Sequence, residues 1–180
     1  MDLEIKEWIQ NVESMRLPRW NDLPDIELYS EQVISYVNNQ LKYIFINYPE
    51  QKDNMMTASM INNYVKNKIM TPPINKKYKK SHVAFLITIT VLKQVGNLKD
   101  VQKGILHLTT VLGRVEAYDT FVEFLEQSLK TSVNELLEKP DTTYYLKRVS
   151  IDLLPLKTAT LAFTSVMLSR YLFSKINTNS

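Results

Sequence analysis

The chain of 180 residues has no cysteine and only three glycines, Gly96, Gly104 and Gly113. Without cysteine there is no disulfide, no thiolate nucleophile and no zinc–thiolate site, a composition that suits a cytoplasmic protein. So little glycine argues against β-hairpins, whose tight turns want positive φ, and against glycine-rich phosphate loops. Histidine is equally scarce: His82 and His107 are the only two, and neither stands at metal-ligand spacing with carboxylates. His82 reads as a first-turn helix residue and His107 as a core-edge one. Long apolar runs are missing too. The most apolar late stretch, Thr158 to Ser169, is bracketed by Lys157 and Arg170, short of the ~20 residues that cross a bilayer. Met1 to Lys6 lack the basic start and apolar core of a signal peptide. The expectation is a soluble, cytoplasmic, non-enzymatic protein with no membrane partner, cofactor, metal ligand or catalytic residue.

What is present is helical periodicity. Apolar residues make up 44% of the chain, ample for a core, and recur at three- and four-residue steps that predict an all-α fold. Leu3 to Met15 buries Ile5, Trp8, Ile9 and Val12. Arg16 to Pro24 is a linker that Trp20 anchors on the core. A second helix starts at Asp25 and runs to Ile46, with Leu28, Val33, Tyr36, Val37, Leu41 and Ile44 inward; Tyr48 to Asn54 is a polar loop. Thr57 or Ser59 caps a third helix to Ile69. Ser81 then caps a helix from His82 to Val95 that is apolar around most of its circumference, hence central. Leu98, Val101, Ile105 and Leu108 form a short helix, and Gly113 breaks the chain into halves.

From Arg114, the positions Val115, Tyr118, Val122, Leu125, Leu129 and Leu136 form a heptad seam interrupted by Ser132. The 114–138 helix therefore either packs in cis or makes a homodimer contact. Glu123, Glu126, Glu135 and Glu138, beside Lys130 and Lys139, suit surface ion pairs of ~0.2–0.5 kcal/mol each rather than acid–base chemistry. Lys139 to Thr142 is a loop. A last helix, from Tyr144 or later to Lys175, bends or restarts at Pro155 and buries Leu161, Phe163, Val166, Met167, Tyr171 and Leu172; Asn177 to Ser180 fray. The division is 1–112 and 113–180, or one continuous domain.

Charge is distributed unevenly. The chain carries +3, yet Lys66, Lys68, Lys76, Lys77, Lys79, Lys80, Lys93 and Lys99 fall between Asp53 and Asp100 with no acid among them. That window is +8 and the remainder −5. Concentrated charge steers anionic partners, which the same charge spread evenly would not do. On the third helix Met60, Ile61, Tyr64, Val65 and Ile69 share one side. The other shows Ser59, Asn62, Asn63 and Lys66 without a carboxylate, although asparagine is a mediocre helix former.

Three stretches carry a resemblance: Ile61-Asn62-Asn63-Tyr64, Ile69-Met70-Thr71-Pro72-Pro73, and Lys77-Tyr78-Lys79-Lys80-Ser81-His82-Val83. Over Thr57 to Ile105 the chain resembles the DNA-binding segment of the MerR family of transcriptional regulators. There a recognition helix with an Ile…Tyr pair ends in a Leu-Pro turn, a short wing follows, and a Tyr-Ser motif opens the next helix. From Leu17 to Leu137 it also resembles an uncharacterised bacterial family catalogued as a domain of unknown function, in which Leu23-Pro24-Asp25-Ile26 and Met60 to Tyr64 are typical. The MerR resemblance implies a winged helix-turn-helix core with a helical C-terminal extension. It implies double-stranded DNA as partner, read by Ser59, Asn62, Asn63 and Lys66, with Lys76, Lys77, Lys79 and Lys80 on phosphates. Residues 113–180 would then dimerise the protein or receive a small-molecule effector. The departures are Asn62 where the family has Arg, and Lys68 where it has Gly at a left-handed turn, with Asn67 beside it to take that conformation. The wing lacks Gly and Arg, and the helix from Asp25 stands in for the usual first helix. The other class open to these residues is a helical interaction module whose basic surface holds an acidic partner.

Overall fold

Strongly apolar sequence with little polar relief must sit where other elements cover it, and the segment after the lysine cluster does so. In a computed structural model that describes residues 3–45, 55–139 and 148–176, the helices are α1 (Leu3–Ser14), α2 (Ser30–Phe45), α3 (Ala58–Lys66), α4 (Lys80–Leu92), α5 (Leu98–Leu112), α6 (Arg114–Leu136) and α7 (Leu154–Lys175). Two short strands, β1 (Leu28–Tyr29) and β2 (Lys77–Tyr78), and a single 3-10 turn at Trp20–Asp22 complete the described elements. Ten of the thirteen residues of α4 are buried, and α2, α5, α6, α7 and β2 all pack against it. The hydroxyls of Thr88 and Thr90 would be costly in such a place. Each donates to the carbonyl four residues back, at 2.9 Å to Ala84 and 2.6 Å to Leu86.

The core runs through both halves of the chain. Phe45 of α2 meets Phe163 of α7 edge-to-face at 6.1 Å, and Trp8 of α1 stacks on Tyr171 of α7 at 5.0 Å. The heptad seam of α6 packs in cis, chiefly on α7. Tyr118, Val122, Leu125 and Leu129 are buried, and Ser132 is wholly enclosed, its Oγ donating to the Ser128 carbonyl. Small side chains let the two helices approach, with Ser128 Oγ donating to Thr160 Oγ1 at 3.3 Å. Gly113 joins α5 to α6 at φ +82°, a conformation side chains resist. Trp20, as expected, lies against the core, half-buried and edge-on to Tyr118, with its backbone N–H donating to Asp119 at 2.7 Å.

Several expectations change. The second helix starts at Ser30, because Leu28 and Tyr29 pair antiparallel with Tyr78 and Lys77. The Tyr29 N–H then takes the Gln32 side chain as its partner at helix entry. The helix from Leu98 reaches Leu112, yet only Leu108 along it is fully buried. Val115 and Leu172 are exposed rather than core. Pro155 stands in the first turn of α7, where its missing N–H costs nothing, so that helix begins there instead of bending. Glu126 pairs with Arg19 of the linker at 2.7 Å, not with a lysine of its own helix. Expected features on 46–54, 140–147 and 177–180, among them the polar loop at Tyr48, a start at Tyr144 and the frayed end, lie outside the described residues.

One polar contact joins α2 to the entry of α3. The Asn38 amide donates to the Met56 carbonyl at 2.9 Å and accepts the Met56 N–H at 2.8 Å, while Met56 itself is buried. Asn38→Ala would leave both backbone groups without partners, so it should cost about 1–3 kcal/mol in urea denaturation. Asn39→Ala on the exposed side of the same helix should cost a few tenths at most.

Candidate nucleic-acid interface

The basic window folds into three connected pieces: α3, an exit turn and a hairpin that feeds α4. Thr57 is the cap of α3, its side chain accepting the Met60 N–H at 3.2 Å. Ile61 and Tyr64 anchor the helix in the core, and Ser59, Asn62, Asn63 and Lys66 are all exposed on it. Of these, Asn63 is partly engaged, since the Asn67 amide donates to both its side-chain and backbone oxygens. The Asn62 side chain has no hydrogen-bond partner among the described residues.

The helix stops at Lys66, three residues short of the expected Ile69. The Ile69 N–H returns to the Tyr64 carbonyl at 2.8 Å and the Lys68 N–H to Val65 at 3.1 Å, the double closure of a Schellman turn. Its left-handed residue is Lys68, at φ +56°, whereas Asn67 keeps a negative φ. Gln102 of α5 fastens this turn by donating to the carbonyls of Lys68 and Ile69 at 2.7 and 2.9 Å.

A hairpin follows, contrary to what the glycine count implies. Ile74 and Lys77 exchange backbone hydrogen bonds at 3.2 and 2.9 Å around Asn75 and Lys76. Both of those residues have positive φ, +51° and +62°, as a type I′ turn demands. Asparagine tolerates that region and lysine is strained in it, so a glycine count alone could not reveal the turn. Tyr78 is buried at the base, edge-on to the His82 ring at 5.6 Å.

The lysines divide by environment. Lys76 and Lys79 are exposed, and Lys77 is half-buried with its ammonium 5.6 Å from the Tyr29 ring. Lys80 is engaged: its ammonium lies 3.1 Å from Asp25, its side chain 19% exposed against 94% for the acid. Lys93 is drawn beneath α3, 3.4 Å from the Met60 sulfur, and desolvation pushes its pKa down. Two of the eight positive charges in the window are thus turned to the fold. Lys66, Lys68, Lys76, Lys79 and Lys99 stay exposed. Lys68, in the exit turn, and Tyr29, on the strand paired with the hairpin, adjoin the residues named from sequence.

His82 holds the pieces together. The helix it opens is capped through it rather than through Ser81: Nδ1 accepts the Lys79 N–H at 2.9 Å, and Nε2 lies 3.3 Å from the Thr71 hydroxyl. One ring thereby joins the exit turn, the hairpin base and α4. Burial is the largest cause of a lowered pKa, with Lys79 adding to it, against backbone hydrogen bonds that raise it. His107 is exposed and meets Asp152 at 3.1 Å. Among the described residues no cluster of three His, Asp or Glu could hold a metal, and no helix is long and apolar enough to cross a membrane.

These features define a mostly helical protein with a short basic hairpin set between its third and fourth helices. The chain belongs to the family described as a domain of unknown function, DUF1836, whose model matches residues 18–121. That span holds α2 to α5, both strands and the start of α6, hence the whole basic region. No curated protein and no solved structure matches the chain.

Two outcomes follow from this geometry. Lys76→Gly, which installs the preferred Asn-Gly pair, should raise stability by about 1 kcal/mol in urea denaturation. His82 binds fewer protons folded than unfolded, because its folded pKa lies below the ordinary 6.5. Its contribution is therefore complete above pH 6.5 and lost as pH falls through and below that value. The melting temperature should fall more steeply between pH 7.5 and pH 5 in the wild type than in His82→Gln, where the amide can still accept the Lys79 N–H.

Proposed function

We propose that this protein is a double-stranded DNA-binding transcriptional regulator that lays α3 in the major groove and its hairpin on the backbone. The observation that carries the proposal is the acid-free, exposed face of α3 running directly into a lysine-tipped hairpin. The chain order strand, helix, helix, hairpin, helix accords with the winged helix-turn-helix arrangement implied by the MerR resemblance. In this scheme α2 is the first helix of the pair, held to the entry of α3 by Asn38.

Asn62 is the principal base reader. A free carboxamide can donate to and accept from adenine at once, and a good pair of this kind contributes ~1–3 kcal/mol of discrimination. Ser59 and Lys66 flank it, and Asn63 offers the groups left over from its bond with Asn67. Lys76, Lys77 and Lys79 contact phosphates, with Lys68 joining them from the end of α3; such contacts set register without reading sequence. Lys80 has a different role, fastening the hairpin base to Asp25. Two copies on a two-fold operator would have to meet through a surface other than the α6 seam, which is occupied within each chain.

The test is binding to the DNA upstream of the protein's own gene and to random duplex, titrated from low to physiological salt. Preference for the upstream DNA, lost in Asn62→Ala, is the expected result. Lys76→Gly should keep the preference while reducing the slope of log affinity against log salt by about 1. Absence of binding to either duplex at low salt sinks the proposal and turns attention to acidic protein partners.

A further inference from the structure

Behind the basic region, α4, α5, α6 and the first turns of α7 line a solvent-open cavity of about 1080 Å³. Phe85, Leu92, Ile105, Leu108, Phe121 and Leu156 form much of its apolar wall. Cavities that hold small ligands are commonly ~300–1,000 Å³ and mostly apolar, so this one is ample. The space accounts for the sparse burial of α5, where Leu108 alone is fully covered over fifteen residues. Gly104, in the middle of that helix, lines the cavity, and a Cβ placed there would touch nothing within 4 Å.

The polar groups of the wall are unbalanced. Its two acids are engaged: Asp152 with His107 at 3.1 Å, and Asp100 with Lys103 at 3.9 Å and with Asn97. Arg114, also in the wall, has no ion-pair partner among the described residues. It opens α6, whose N-terminus follows Gly113 and has no side-chain cap. Tyr118, one turn on, is buried in the same wall, its hydroxyl enclosed and without a hydrogen-bond partner among the described residues.

We propose that this cavity binds a small amphiphilic carboxylate, its hydrocarbon body between α4 and α5 and its anionic head at Arg114. The site stands on the cavity and its charges alone and does not depend on the DNA proposal. Met70, Thr71 and Pro72 of the exit turn share the cavity wall, so an occupant would press on the segment that follows α3.

Trp20 lines the cavity and the only other tryptophan, Trp8, is stacked on Tyr171, so a full-length chain carrying Trp8→Phe has a single emission reporter at the site. That protein is titrated with decanoate below its micellar concentration and, separately, with 1-decanol, by Trp20 emission and calorimetry. The expected result is one decanoate per chain, an affinity about tenfold weaker in Arg114→Gln, and decanol binding unchanged by that substitution. Gly104→Phe should abolish both while circular dichroism keeps its helical signal; should that variant unfold, the same loss is required of Gly104→Leu. Binding of neither molecule, or decanoate binding that survives in the folded Gly104 variant, overturns the site. Equal sensitivity of decanol and decanoate to Arg114→Gln overturns the anionic head.

Discussion

The carboxamide of Asn38 and the backbone of Met56 form the contact on which the basic region depends. A nine-residue helix such as α3 is far too short to persist by itself. Its apolar anchors are few, Ile61 and Tyr64 being the only residues along it that are fully buried. What fixes it is polar and specific at both ends. Asn38 fixes the position of Met56, and Thr57 starts the helix one residue later. At the far end Gln102 and His82 hold the exit turn from two other helices. Shifting the entry by one residue would rotate every side chain of α3 by about 100°, so those two hydrogen bonds and the buried pair Ile61 and Tyr64 together set its exposed face.

Electrostatics in this region is more selective than the sequence tally of charge. Lys93 is drawn beneath α3, so its ammonium is not presented to a partner that contacts the surface. Lys80 spends its charge on Asp25, an acid that the sequence places fifty-five positions away and that strand pairing brings alongside. The charges left on the surface belong to α3, its exit turn, the hairpin and the start of α5, a narrower distribution than the run of lysines implies.

The helical character of the chain was legible because burial and a period of 3.6 leave the same mark on sequence. Trp8, Ile9 and Val12 in α1, and Val33, Val37, Leu41 and Ile44 in α2, show it plainly. The basic window and the domain-of-unknown-function resemblance were legible too. Much of what sequence concealed lies in specific contacts that helical periodicity does not register, some of them between residues far apart along the chain. Leu28 and Tyr29 look helical until Lys77 and Tyr78 pair with them. His82 looks like an ordinary first-turn residue until its two ring nitrogens are traced to Lys79 and Thr71. Asn38 looks like a weak spot in a helix, and the cavity behind α5 leaves no periodic trace at all. Hairpin turns escaped for another reason, since glycine scarcity is evidence only where no other residue tolerates positive φ.

Of the four non-glycine residues with positive φ among those described, Lys68, Asn75 and Lys76 lie within nine positions of one another. Glycine at any of them would relieve strain of the order of 1 kcal/mol. Stability alone would therefore draw these positions towards glycine, and the chain uses that residue so rarely elsewhere that its avoidance here is not conspicuous by composition. Two of the three hold lysine instead, each carrying a charge into solvent on a backbone that disfavours it. The two turns thus hold two ammonium groups in solvent at the ends of α3 and the hairpin, at a conformational cost that glycine would remove.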